Sequence, residues 1–286
     1  MKNIIFEKYQ GNGNDFILID SRDNNIFNKF QSDKTIEIKK LCDRQFGIGA
    51  DGVIFIMEPE GNNYAKMIIY NSDGSEAQMC GNGIRCLIQY LHNFKNIANN
   101  SFEYRIETKA GIKIAQYLND EITVKMGKPI LDASSIPTTI ETNHNLLPSY
   151  RFKESNFEQE GYAVGMGNPH LVFFMNDISK ISLSLLGPFF EKSKLFPEKT
   201  NVHFSQIIDK DNIKVLVWER GAGATLACGT GACAVHVAAY QLGLCNEETT
   251  INLPGGNLRI NWSRLDDEIL MTGNAKKVFS GRYLLG

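Results

Sequence analysis

No apolar run in these 286 residues approaches the roughly 18 that a membrane span needs. The longest apolar pieces, 171–175 and 215–218, have the length of strands. The first residues, Met1-Lys2-Asn3-Ile4-Ile5-Phe6-Glu7-Lys8, lack the apolar stretch and small-residue cleavage site of a secretory signal, so the expected location is the cytoplasm. Neither sign of charge dominates: 30 Lys and Arg face 32 Asp and Glu, a net charge of −2. That balance argues against nucleic-acid binding or an anionic membrane surface as the chain's business, short of a local patch. Cysteine is sparse as well. Six thiols are too few for a disulfide scaffold, and a reducing compartment would keep them free. Because 43% of the residues are hydrophobic, the core does not need disulfide or metal staples. Low-complexity tracts and long linkers are also missing.

The length fits two domains at about 150 residues each. Short β-branched and aromatic segments bounded by Gly, Asn or Asp read as strands at 4–9, 15–20, 52–57, 64–70, 102–108, 112–117 and 122–126. The second half repeats the style at 161–166, 170–175, 201–208, 212–218, 249–253, 257–262 and 269–272. A stretch rich in Pro, Ser and Thr, 128–148, suits a junction. One helix is expected from near Asn82, with Ile84, Leu87, Ile88 and Leu91 on a single apolar face. A second, from Thr230 to Leu242, is apolar almost all round, which marks a helix wrapped on every side, and Gly243 follows as its C-terminal stop.

An internal repeat organises these elements. Cys80-Gly81-Asn82-Gly83-Ile84-Arg85-Cys86 opens the first helix and Cys228-Gly229-Thr230-Gly231-Ala232-Cys233 opens the second. Asn71 and Glu219 end the strands that precede them, and Gly13-Asn14-Asp15-Phe16 is echoed by Gly167-Asn168-Pro169-His170. Three landmarks in the same order and at nearly the same offset point to two halves of one architecture.

A strand end followed by Cys-Gly-X-Gly at a helix start has a chemical consequence. Glycine lets backbone approach a ligand closely, and the first amide N–H groups of a helix can hold a carboxylate. A cysteine there feels the positive end of the helix dipole, which favours thiolate. Two such starts turned to one cleft would suit a stereochemical inversion: one thiolate removes a Cα proton, the other thiol returns one from the opposite face, and the amides steady the charge on the carboxylate. Cys42, Cys86, Cys233 and Cys245 read instead as core. The spacing argues against zinc, since no C-x2-C pair or nearby His pair completes a tetrahedron. Gly11-Asn12-Gly13-Asn14 lacks a Walker lysine. Glu219-Arg220 reads either as a surface ion pair or as a clamp for a substrate ammonium and carboxylate. His170 reads either as a core or capping residue or as a group that tunes a thiol.

These motifs, together with Asn71-Ser72-Asp73-Gly74-Ser75-Glu76 and the run from Glu219-Arg220-Gly221-Ala222-Gly223 to Ala232, resemble the diaminopimelate epimerase family across nearly the whole chain. The resemblance implies an α+β fold of two pseudo-symmetric halves, each a mostly antiparallel sheet curled round a central helix. Residues 1–127, with a returning C-terminal strand at about 274–286, would form one half and 128–273 the other. It implies cofactor-independent interconversion of LL- and meso-diaminopimelate, serving lysine and peptidoglycan precursors. Cys80 and Cys228 would be the acid/base pair, and the amides of Gly81, Asn82, Gly229 and Thr230 would hold the reacting carboxylate. Asn14, Asn71, Asn168, Asn201, Glu219 and Arg220 would bind the rest of the substrate, while His170 and Glu219 adjust the thiols. Neither metal nor cofactor is implied, and the partner is a second copy of the chain, with Phe279 at the dimer contact.

Two positions depart from the family pattern. Gly52 stands where some members carry a substrate-touching glutamine, and Phe279 where some carry tyrosine, so a phenolic hydrogen bond is lost there. The nearest rival is a two-thiol racemase of proline or hydroxyproline, whose substrate has no distant amino-acid end. Another class is a redox or binding module in which Cys80 and Cys228 form a regulatory disulfide.

Overall fold

The computed structural model describes residues 2–22, 26–30, 34–94, 101–142, 147–154, 157–263 and 265–285. Part of the expected junction, 143–146, lies outside them. The chain forms two units, Met1–Val124 with Gly273–Gly286, and Lys125–Thr272.

In the first unit the order is β1 (Lys2–Gly11), β2 (Asn14–Asp20), α1 (Lys34–Cys42), β3 (Gly52–Met57), β4 (Ala65–Asn71), β5 (Glu76–Ala77), α2 (Gly81–Phe94), β6 (Ser101–Thr108), β7 (Gly111–Leu118) and β8 (Glu121–Gly127). The second runs β9 (Ser149–Glu154), β10 (Phe157–Gly165), β11 (Pro169–Phe174), α3 (Leu183–Glu191), β12 (Asn201–Asp209), β13 (Asn212–Glu219), β14 (Gly223–Thr225), α4 (Gly229–Gln241), β15 (Glu248–Leu253), β16 (Gly256–Ser263) and β17 (Glu268–Gly273). The final strand, β18 (Lys276–Leu285), lies antiparallel to β1 in the first unit.

Pairing exposes the repeat. In the first unit the sheet runs β18-β1-β2-β3-β4-β6-β7-β8. In the second it runs β9-β10-β11-β12-β13-β15-β16-β17. Most pairs are antiparallel, and the parallel ones fall at matching places: β2 with β3 and β4 with β6, β11 with β12 and β13 with β15. A parallel pair needs a crossover, and each of these carries a helix. The second crossover of each unit holds the central helix, which therefore begins just beyond the end of β4 or β13. The repeat differs at its first strand, where the first unit uses the C-terminal β18 and the second uses β9.

Each sheet curls round its central helix. Helix α2 touches β1, β2, β3, β7 and β18, while α4 touches β10, β11, β12, β15 and β16. The all-round burial expected of α4 is observed from Gly231 to Ala239. Its small side chains allow this, and Gly243 at φ 72° closes it: Gly243 N–H donates to the Tyr240 carbonyl at 3.0 Å and Leu244 N–H to Ala239 at 2.8 Å. Helix α2 departs from its single-face expectation. It is buried on all sides from Gly81 to Ile88, including Arg85, because the curled sheet also covers the flank that polarity assigns to solvent. Arg85 donates to Asn12 Oδ1 at 2.6 Å and to the Asn274 carbonyl at 3.4 Å, which makes the buried guanidinium tolerable.

The other face of each sheet carries its own core. In the first unit Ile38, Leu41 and Cys42 of α1 join Ile17, Ile19, Val53 and Phe55. In the second an aromatic cluster of Phe152, Phe157, Phe173, Phe190 and Phe204 fills the space beneath α3. Among the described residues no helix is long and apolar enough to cross a membrane.

Candidate active-site motifs

In the first unit Asn71 closes β4 and Cys80 immediately precedes α2. The Cys80 carbonyl accepts the first helical bond, from Ile84 N–H at 2.8 Å, so the N–H groups of Gly81 and Asn82 belong to the open helix end. Cys80 is half-buried, and its thiol donates to Asn14 Oδ1 at 3.8 Å. The same oxygen accepts from Asn82 Nδ2 at 3.2 Å. Asn14 Nδ2 is turned the other way, to Asp51 Oδ2 at 2.8 Å. Asp51 is held in turn by Arg44, which also grips Asp15. Asn14, Cys80 and Asn82 thus form one hydrogen-bonded group. Asn71 is not part of it: its side chain donates to Ser75 Oγ at 3.0 Å, within its own turn. Opposite Asn71 stands Gly52, where an added Cβ would lie 2.5 Å from the Tyr70 carbonyl and 3.3 Å from the Phe16 ring. Backbone and ring have closed over the place where a side chain would start.

In the second unit Glu219 closes β13 and Cys228 caps α4 from an extended conformation, φ −126° and ψ 113°. Cys228 is 4% exposed. Its sulfur lies 3.5 Å from Thr230 Oγ1, with Gly231 N–H and the Glu219 carboxylate also against it. The dipole argument favoured a thiolate here, and the structure reverses it. Burial pushes the Cys228 thiol well above its ordinary value and the Glu219 charge pushes further, outweighing the Thr230 hydroxyl and the Gly231 amide. At neutral pH Cys228 is a thiol. Glu219→Gln removes a negative charge that opposes ionisation, so it is expected to lower the Cys228 pKa. Ultraviolet thiolate absorbance followed against pH, with Cys228→Ala as the blank, checks the sign; an unchanged or higher pKa would refute it.

Other polar residues of this unit are pinned by backbone. Asn201 donates to the Pro169 carbonyl at 2.9 Å and accepts from Arg220 N–H at 3.0 Å, so its amide ties the start of β11 to the turn after β13. The Arg220 guanidinium is exposed and donates to the Glu198 carbonyl at 3.0 Å. Two residues absent from the sequence reading complete this support. Glu191 accepts from Trp218 Nε1 at 2.8 Å and from Gly221 N–H at 3.1 Å, which holds the turn that carries Glu219 and Arg220. His203 accompanies His170. The Asn168 Oδ1, His170 Nε2 separation is 2.8 Å, and His170 Nδ1 lies 2.9 Å from His203 Nε2. Both nitrogens of His170 are therefore engaged by Asn168 and His203. Neither Glu191 nor His203 sits in a recognisable motif, so spacing alone gave no signal for them.

The diaminopimelate epimerase family pattern matches residues 6–131 and 162–278. The chain belongs to the diaminopimelate epimerase family. A diaminopimelate epimerase of Prochlorococcus marinus (strain NATL2A) is 50% identical over 278 residues, covering 96% of this chain and 97% of the relative. One from Microcystis aeruginosa (strain NIES-843) is 48% identical over 284 residues, covering 98% and 99%. The fold is shared more widely. A hydroxyproline epimerase from Agrobacterium vitis, solved with bound trans-4-hydroxy-L-proline, superposes with a TM-score of 0.68 at 12% identity, covering 98% of this chain and 92% of that one. A phenazine biosynthesis protein of the PhzF family from Enterococcus faecalis gives 0.68 at 13% identity, covering 99% and 100%. The α+β architecture of two similar halves is therefore that of a larger group, whereas the near-full-length identity belongs to diaminopimelate epimerases.

Proposed function

We propose that this chain interconverts LL- and meso-diaminopimelate without a cofactor, by proton transfer at Cα through Cys80 and Cys228. The observation that carries the reading is the matched pair of cysteines, each the residue just before a buried central helix whose first amides are open to a carboxylate. A Cα proton beside an ammonium is weakly acidic, so the enolate-like charge needs those donors, from Gly81 and Asn82 and from Gly229 and Thr230. Because Cys228 rests protonated, it is the donor in one direction, and Cys80 then serves as base; in the reverse direction the roles exchange.

The remaining residues recognise two amino-acid ends. Glu219 suits an ammonium and Arg220 a carboxylate. Asn168, its oxygen taken by His170, offers its NH2 group, while Asn14 offers oxygen beside Cys80. Asn71 and Asn201 complete the set, Asn201 chiefly by holding the Arg220 turn. His170 acts on this end through Asn168, and Glu219 sets the Cys228 thiol. Two charged ends favour a long diamino dicarboxylate over proline. The protein works in the cytoplasm on the route to lysine and peptidoglycan precursors. It forms a homodimer through β1 and β18, where Ile5, Val278, Phe279 and Leu284 are exposed on a surface that a second copy would cover.

The test is direct. Reduced protein with LL-diaminopimelate in deuterium oxide, no cofactor added, is expected to lose α-proton signal as the meso isomer forms. No exchange with diaminopimelate, but exchange with proline or hydroxyproline, would reassign the substrate; activity unchanged by oxidation of the thiols would refute the two-thiol mechanism.

A further inference from the structure

We propose that His203 is a positioning residue: through His170 it locks the Asn168 amide with its NH2 group presented to the substrate. The inference rests on the reading of Asn168 as a substrate contact.

His170 and His203 lie on adjacent parallel strands, in a register that pairs His170 with Asn201 and Val172 with His203, so the two rings share one face of the sheet. Both are fully buried. Burial holds His170 neutral, helped by His203 and Arg220, and it holds His203 neutral with a pKa of about 3. Each ring then carries one proton. The Asn168 oxygen can only accept, so the His170 proton sits on Nε2. His170 Nδ1 is therefore bare, and His203 Nε2 must donate to it. His203 Nδ1 is left as a lone pair, and it has no hydrogen-bond partner among the described residues.

That last atom decides the orientation. If the Asn168 amide turned over, its NH2 would face His170 Nε2, and both rings would have to shift their protons to Nδ1. His203 would then bury an N–H with nothing to accept it. A stranded buried donor is costlier than a bare lone pair, so the chain is held in one sense. The ring cannot swing away to find a partner either. Gly231 of α4 lies against its Cε1 edge, so close that an added Cβ would lie 2.2 Å from that atom. The geometry contrasts with the repeat-related Asn14, whose amide is set the opposite way by Asp51, oxygen toward the thiol.

The experiment compares His203→Phe, which keeps a ring but removes the donor, with His203→Gln, which returns a donor near the Nε2 position. Each is measured alone and combined with Asn168→Ala, with diaminopimelate as substrate. His203→Phe is expected to lower kcat/KM about tenfold through KM, with kcat nearly kept, because the contact lies away from the reacting carbon. His203→Gln is expected to recover most of that loss, and His203→Phe to add nothing in the Asn168→Ala background. An equal loss in both backgrounds, or a Gln variant as poor as Phe, would mean the ring merely packs and would overturn the proposal. A silent Asn168→Ala would instead show that Asn168 does not touch substrate, and the inference would fall with that reading. Should His203→Phe not fold, imidazole nitrogen chemical shifts of the unaltered protein decide: both rings protonated at Nε2 support it, and either at Nδ1 overturns it.

Discussion

Alanine in place of Cys80 or Cys228 is expected to abolish net epimerisation of diaminopimelate, a loss on the order of a thousand-fold or more, at the upper end of what a positioned acid or base contributes. The reason is that inversion needs a group on each side of Cα. In the mechanism proposed above, losing either sulfur leaves one of the two proton transfers without its group. The change is local. Within its helix the Cys228 sulfur touches only the first turn, at Thr230 Oγ1 and the Gly231 amide, and the Cys80 thiol meets Asn14 Oδ1 at 3.8 Å, so the backbone bonds that start each helix do not depend on its sulfur. Thermal midpoints near that of the unaltered protein, alongside lost conversion of LL- to meso-diaminopimelate, are the expected pair of results. Retention of more than a few per cent of the rate by either variant would remove that residue from the mechanism.

Gly231→Ala is expected to be strongly damaging in the second unit, and Gly83→Ala mild in the first. The two glycines occupy the same place in their Cys-Gly-X-Gly motifs, and in a helix alanine is ordinarily favoured over glycine by about 1 kcal/mol. At Gly83 the added Cβ would press on the ends of Ile54 and Ile69, at 3.2 and 3.3 Å, which can give way, and would meet the Cys80 Cβ at an ordinary contact distance of 3.5 Å. At Gly231 it would enter the buried His203 ring. Overpacking of that kind costs about 1–3 kcal/mol. Relief requires moving either His203 or the helix start that carries Cys228, Gly229 and Thr230. A displacement of about 1 Å at a reacting group costs on the order of a hundredfold in rate. Denaturation midpoints should separate the two variants clearly, with a matching fall in kcat/KM for Gly231→Ala. Equal stability of the two would show that His203 does not press on the helix.

The contrast between these glycines marks how far local pattern reaches. Strand ends at Asn71 and Glu219, helix starts at Gly81 and Gly229, and the stop at Gly243 are all written in short segments, because turn geometry and helix capping depend on neighbours in the chain. Helix α3 was not legible, since Gly187 and Pro188 oppose helix formation. It forms because Gly187 lies flat on the Trp218 ring, where an added Cβ would be 2.4 Å away. Strand β9 went unread for a related reason. It pairs with β10 and contributes Phe152 to an aromatic cluster assembled from distant segments.

By itself the sequence determined the repeat, the strand and helix segments that carry it, the two cysteine motifs and the family, because each of these is carried by residue order and local spacing. Only the tertiary structure decided that Arg85 is buried, that Asn14 and Asn168 are held in opposite senses by Asp51 and by the His170–His203 pair, and that Cys228 rests as a thiol. Those outcomes depend on desolvation and on partners far away in the chain, such as Asn12 and Asn274 for Arg85, 73 and 189 residues distant.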